Sequence, residues 1–322
     1  MTPVELSRTV LRAVRRAVDE GELSVVVPAR AVVTSPGPGG CGDYATNIAL
    51  QLARPAGRAP RQVAEILRTH LKGADGITDV AITGPGFLNI SLSQEVARTL
   101  VSEIRLQANR YGHADTLTRQ VIPLRVPHDT RAEVVADTLV RIIATQGGRA
   151  EVHHAEPVNL RPVPAPEDPA LLGPDAARWA LLHLAPHDRP RITADHLVQR
   201  ESNPLFRVRY AHACTRALSR NAAALGFDSA PGDVSEAQDL LTSLAEYPRV
   251  LGAAATHRAP DRLARHLVTI ADALLDFQHT VLPLGDEKPS AAHRARLALA
   301  EAAGTVLAGG LSLLGISAPE NL

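Results

Sequence analysis

The sequence is nearly without lysine. Of its 34 basic residues only Lys72 and Lys288 are lysines, so 32 (34 − 2) are arginines. Between Lys72 and Lys288 no lysine-dependent chemistry is available. Cysteine is as scarce: Cys41 and Cys214 are too few for a disulfide framework or a cysteine-rich zinc site. Charge of one sign is not in excess, with 34 basic against 34 acidic residues, so any surface for nucleic acid has to be local. The arginine bias fits bidentate phosphate contacts, and it also fits a bias in genome base composition. The first residues, MTPVELSRTVLRAVRRAV, carry charges throughout and do not form a signal peptide. No uninterrupted apolar run has the length of a membrane span, and a soluble, cytoplasmic protein is expected. GxSxG, CxxC and HExxH are all missing. The glycine-rich stretches Ser35–Gly42 and Gly84–Gly86 lack the Lys-Ser or Lys-Thr of a phosphate loop.

What is present divides into three parts. Residues 1–112 read as an α+β domain. A helix starts at Thr2-Pro3 with a stripe of Val4, Leu11, Val14 and Val18. A strand region spans residues 24–34, helices span 43–52 and 61–71, short strands cover 80–82 and 87–92, and a helix covers 94–109. Residues 113–198 hold one βαβ-like unit: strand 121–126, helix 131–146 and strand 150–153, followed by a proline-rich linker over 153–173 and a helix at 175–184. Residues 199–322 read as an α-helical bundle, with helices at 203–225, 237–254 (interrupted at Tyr247-Pro248), 261–281 and 291–314. The fold class is therefore α+β.

The stretch Asn203–Phe227, NPLFRVRYAHACTRALSRNAAALGF, is the most informative. Asn203 and Pro204 suit a helix start, and Gly226 suits its end. Val208, Ala211, Thr215, Leu218, Ala222 and Leu225 form one stripe, and Arg207, Arg209, His212, Arg216 and Arg220 form the other face. Such a helix is either a solvated member of a bundle or a local RNA surface. Asp129, Glu133 and Asp137 share another helix face, where Arg131 and Arg141 turn them into a solvated ion-pair row. His153, His154 and Glu156 form no metal site on this reading, because adjacent histidines on a strand point apart.

NPLFRVRYAHA resembles the opening of the anticodon-binding (DALR-type) domain of arginyl-tRNA synthetases. GDYATNIALQLARPAGRAPRQVAEIL (42–67) and GPGFLNISLS (84–93) resemble the family's N-terminal extra domain. LLTSLAEYPRVLGAAA, APDRLARHLVTIADALLDF and ARLALAEAAGTVLAGGLSLLGISAPENL resemble later blocks of the anticodon-binding domain. The resemblance implies an elbow-binding module in which Phe87 stacks on a D-loop base and Asn89 hydrogen-bonds to it. From the residues alone, Phe87 reads as a core aromatic beneath the sheet. It further implies an anticodon-arm surface of Arg207, Arg209, Tyr210, His212 and Arg216, with Phe277 and Leu322 carried over more weakly; Tyr210 reads equally as a bundle residue.

The resemblance also marks a loss. ADTLVRIIATQGGRAEV (136–152) resembles the segment after the family's ATP-binding signature. Aligned there, the His-x-Gly-His tetrad falls on Val126, Pro127, His128 and Asp129, and the lysine of the Met-Ser-Lys loop has no counterpart. Val126 donates no hydrogen bond, and Asp129 would repel phosphates. The resemblance therefore implies a pseudo-synthetase with a collapsed Rossmann remnant, no catalytic residues, no ATP or other cofactor and no metal. Its partner would be tRNA, preferentially tRNA for arginine. Residual or partner-assisted arginine–tRNA ligase activity is one alternative. A protein-interaction module that docks another protein at the seam of the lost domain is the other.

Overall fold

Thr2 caps the first helix through a reciprocal pair: Glu5 N donates to Thr2 Oγ1 at 3.4 Å, and Thr2 N donates to Glu5 Oε2 at 2.6 Å. The computed structural model describes residues 1–322, apart from the side chains of Gln94 and Ser235. The chain divides into two units, Met1–Leu100 with Asp233–Gln238, and Val101–Gly232 with Asp239–Leu322.

In the first unit, helices α1 (Pro3–Asp19), α2 (Ile48–Ala56) and α3 (Pro60–Lys72) pack on an antiparallel sheet of order β1-β2-β4-β3. The strands are β1 (Val33–Thr34), β2 (Tyr44–Thr46), β3 (Ile77–Thr83) and β4 (Phe87–Leu92), and helix α4 (Gln94–Gln107) follows. Leu6, Val10 and Val14 of α1 share one core with Val63 and Leu67 of α3 and Leu88 and Ile90 of β4. The buried stripe of α1 is thus centred on Leu6, Val10, Ala13, Val14 and Ala17, rotated from the expected Val4–Leu11 line. The expected helix at 43–52 is a correction: Tyr44–Thr46 is a strand that pairs with Ile90–Leu88, and the helix starts only at Ile48. Burial of Tyr44 against the core decides it, because an aromatic suits a pleated sheet. Of the valine-rich 24–34 stretch, only Val33–Thr34 pairs as a strand.

The second unit begins with a parallel pair, β5 (Val121–Arg125) and β6 (Arg149–His153), joined by α5 (Thr130–Ala144). Val121 pairs with Arg149 and Arg125 with His153, the expected βαβ unit. Asp129 caps α5 by accepting from Ala132 N at 3.0 Å. The carboxylate row is only partly as expected. Asp137 pairs with Arg141 at 3.0 Å and with Arg178, and although burial opposes it, these bonds hold its carboxyl below the usual range. Arg131 does not join the row, because it turns inward and is 1% exposed.

Arg131 instead ties residues 181–188 to Val163 of the proline-rich stretch. Its five N–H groups go to five carbonyls: Nε to Leu181, Nη1 to Val163 and Asp188, and Nη2 to Leu184 and Ala185, all between 2.6 and 3.1 Å. Asn159 adds a second tie, receiving Arg125 N on Oδ1 at 2.8 Å and donating to Pro123 O at 3.0 Å. The stretch expected as a loose linker is thus held against α5, α6 (Gly173–Leu182) and β5 by specific hydrogen bonds.

The bundle consists of α7 (Pro204–Ala224), α8 (Gln238–Thr256), α9 (Pro260–Phe277) and α10 (Ala291–Leu314). Helix α8 runs through Pro248, where an interruption was expected. Two glycines set the approach of α10. A Cβ on Gly304 would collide with Thr215 of α7, and one on Gly310 would collide with Leu267 of α9. Contrary to the expectation from uninterrupted runs, α10 is long and apolar enough for a membrane span, with mean hydropathy 1.7. It is nevertheless a core helix, 67% buried along that window.

Candidate nucleic-acid interface

Helix α7 is positioned by its cap residue. Asn203 Oδ1 accepts from Leu205 N at 3.1 Å, while Nδ2 donates to the carbonyls of His196 and Val198 at 2.9 Å each. Asn203 therefore caps α7 and also fixes the turn that leads into it. One turn on, the Phe206 and Tyr210 rings stack with centroids 5.5 Å apart and planes 18° apart. Tyr210 is 41% exposed, and its hydrogen bond with Cys214 raises the phenol's pKa. An exposed aromatic held nearly parallel to a second ring has the geometry of a base-stacking group.

Beside the ring pair lies a cavity of about 190 Å³ between the start of α6, residues 196–199 and the first turns of α7. Phe206, Arg209, Asn203, His196 and Leu322 are among its walls. It is smaller than the roughly 300–1,000 Å³ of typical small-molecule sites, on the scale of one planar ring system. Arg209, one of its walls, has a buried Nε without a protein partner.

The rest of the predicted face is held by acidic groups and by the end of the chain. Arg207 pairs with Asp272 at 2.9 Å, and Arg209 lies 3.6 Å from Asp175 and 3.3 Å from Ser317 Oγ. Arg216 pairs with Glu320 at 3.2 Å, and Arg220 Nη2 donates to Asn321 Oδ1 at 2.9 Å. His212 is not on an open basic face. It is buried, with Nδ1 2.9 Å from the Pro319 carbonyl oxygen, and burial pushes its pKa down despite that bond. Phe277 is 7% exposed and belongs to the bundle core, so its ring presents no open face. Leu322 is 52% exposed. Helix α7 and residues 317–322 thus form one composite surface. A single-helix reading misses the tail, and no periodicity would have signalled it.

In the first unit Phe87 sits at the tip of the β3–β4 hairpin and is 40% exposed. The turn before it needs Gly86, whose φ is +148° and whose Cβ would press on the Pro60 backbone at 3.0 Å. Asn89 is 2% exposed and donates to Thr83 Oγ1 at 2.6 Å. Its amide therefore steadies the hairpin, and Phe87 is the group the hairpin presents outward.

The tetrad positions serve the fold. Val126 is buried and extends the β5–β6 ladder by donating to His153 O at 2.9 Å, while Asp129 is the α5 cap. The fold also brings together residues that spacing kept apart. His128 stacks on His154, with centroids 4.1 Å apart and planes 7° apart, and Glu133 lies beside them.

The family described as arginyl tRNA synthetase N terminal domain matches residues 5–92, and the DALR anticodon binding domain matches residues 208–322. The chain is a relative of the arginyl-tRNA synthetases. Against the arginine–tRNA ligases of Renibacterium salmoninarum and Frankia alni it is 26% and 27% identical, with all of both chains covered. Those alignments run over 551 and 556 positions for a chain of 322 residues, so this synthetase relative is truncated. Against the enzyme of Pseudarthrobacter chlorophenolicus it is 39% identical over 165 residues, 47% of this chain and 30% of that protein. The fold is similar to the arginyl-tRNA synthetases of Thermus thermophilus (TM-score 0.71, 14% identity) and Plasmodium falciparum (TM-score 0.71, 8% identity), each with full coverage of both chains. An arginyl-tRNA synthetase relation with an anticodon-binding domain gives the chain a tRNA-related role.

Proposed function

We propose that this synthetase relative binds tRNA without charging it, prefers tRNA for arginine, and does so in the cytoplasm. The observation that carries this reading is the Phe206–Tyr210 stack beside the cavity that holds Arg209, on the first helix of an anticodon-binding-type domain. Tyr210 would stack a base of the anticodon loop, and Arg209 would donate to an edge or a phosphate. Arg216 and Glu320 are both exposed, at 51% and 65% of their side chains. Such a pair is weak, about 0–1 kcal/mol, so phosphate can compete for the guanidinium. Phe87 would offer a second stacking group at the elbow. Charging is excluded from the proposal by the missing histidines, glycine and lysine, and ATP is not expected to bind.

The test is a filter-binding titration of the purified chain with tRNA for arginine and an unrelated tRNA at two salt concentrations. Tighter, salt-weakened binding of the arginine tRNA is expected, together with no ATP–pyrophosphate exchange. Equal or absent binding of both tRNAs would overturn the reading, and exchange activity would overturn its noncatalytic half.

A further inference from the structure

The carboxyl ends of parallel strands are where α/β units hold ligands, because the strand ends and the following helix start open onto one crevice. In this chain that place is occupied by His128, between β5 and α5, by Glu133 in the first turn of α5, and by His154, one residue past β6. All three side chains are exposed, and their ligand atoms lie within 4.8 Å of one another, one from each residue. Glu133 Oε1 and His154 Nε2 are 4.0 Å apart. The two imidazoles approach without a hydrogen bond between them, as a stack at 4.1 Å.

We propose that His128, Glu133 and His154 bind a divalent late transition ion, with zinc the natural probe. Donor type selects the ion: two imidazoles and one carboxylate suit Zn²⁺, Ni²⁺ or Cu²⁺, whereas Mg²⁺ and Ca²⁺ favour oxygen donors throughout. Around zinc, donors at about 2.0–2.2 Å in tetrahedral array stand roughly 3.3 Å apart. The three groups reach that spacing by side-chain rotation, and rotation is open to them because each is exposed. The anchoring backbone does not have to move, being fixed by the β5–β6 ladder and the Asp129 cap. Three protein ligands leave the fourth tetrahedral position for water or an anion.

A second grouping, Glu20, Glu22 and His70, is the internal comparison. It offers a single imidazole, which already lies 2.6 Å from Glu22 Oε2, so it is the weaker set on ligand chemistry.

The experiment is isothermal titration of the metal-stripped full chain with zinc chloride in a non-coordinating buffer, repeated for His128→Gln, Glu133→Gln, His154→Gln and His70→Gln. Circular dichroism and melting on each variant would confirm an intact fold. Cobalt substitution adds a spectroscopic readout, since a four-coordinate site with nitrogen ligands gives an intense visible band. Saturable uptake of one ion per chain is expected, weakened at least about tenfold in His128→Gln and His154→Gln and unchanged in His70→Gln. Absence of saturable uptake, uptake that survives the His128→Gln/His154→Gln double variant, or loss in His70→Gln would each overturn the proposal.

Discussion

Arg131 Nη1 donates to the carbonyl oxygen of Asp188 at 2.6 Å, across 57 positions of sequence. With its four companion bonds, this places a buried cation among carbonyl dipoles, and burial pushes the guanidinium's pKa down. Removing the side chain would leave five carbonyls without their donor, at the end of α6 and in the loops that flank it. Arg131→Met should cost about 3 kcal/mol or more, since five carbonyls lose their donor at about 1–3 kcal/mol for each that water does not reach. Arg131→Lys should recover only part of that, since three donors on a point charge cannot reproduce a five-donor fork. Urea unfolding followed by circular dichroism reads both. A loss below about 1 kcal/mol for Arg131→Met would show that the segment is held by other contacts.

Two aromatic residues of the bundle should separate binding from stability. Tyr210→Ala removes a half-exposed ring and should weaken tRNA binding by about 1–3 kcal/mol, roughly 5- to 150-fold, with little change in melting temperature. Phe277→Ala empties a core position and should cost about 3–5 kcal/mol of stability, with binding unchanged in the fraction that stays folded. Filter binding alongside thermal melts tests the pair.

His266 gives the bundle a pH dependence. Its Nε2 lies 2.9 Å from Ser243 O, and burial lowers its pKa to about 4. The unfolded chain takes up this proton near pH 6.5, whereas the folded chain resists until about pH 4. Stability therefore falls as pH drops from about 6.5 to 4 and gains no further slope from this group below that. The contribution is on the order of 3 kcal/mol, about 2.5 pH units at about 1.4 kcal/mol each. His266→Gln should flatten that part of the stability–pH curve measured by denaturant unfolding. An unchanged slope would assign it elsewhere.

Gly304 lies where α10 meets Thr215 of α7. Gly304→Val should push the helices apart or displace Thr215, at about 1–3 kcal/mol or more. Gly309, whose Cβ would meet nothing within 4 Å on the same helix, should accept alanine with no loss and even a small gain in helix propensity. Differential scanning calorimetry of the two variants checks the contrast.

Much of this was legible in the sequence, and the reasons are physical. Helices with period-3.6 stripes and marked starts, such as α7 behind Asn203, α9 behind Pro260 and α10 behind Ser290, were readable because burial and helix starts are local signals. The βαβ unit was readable because its strands and helix alternate at short spacing. Tyr44–Thr46 was not, since a three-residue strand takes its state from the sheet it joins. Arg131 read as a solvated partner of its neighbours, because nothing within a few residues of it announces carbonyls fifty positions away. His212 followed the same rule: it sits between arginines in sequence, but the Pro319 carbonyl that meets it comes from the far end of the chain. Of the residues carried over by resemblance, Phe87 and Tyr210 are partly exposed, while Asn89 and Phe277 are buried in the fold.

The close seating of α10 also bears on how the chain is made. This helix has a window of mean hydropathy 1.7 at membrane-span length and is synthesised after α7 and α9, the helices that receive it at Gly304 and Gly310. As it leaves the ribosome, a complementary groove has already been translated, so its apolar side can be covered at once. A circular permutation that placed residues 291–314 first would reverse that order. The same sequence would then present a sticky, unpartnered helix to the cell's chaperones for most of its synthesis.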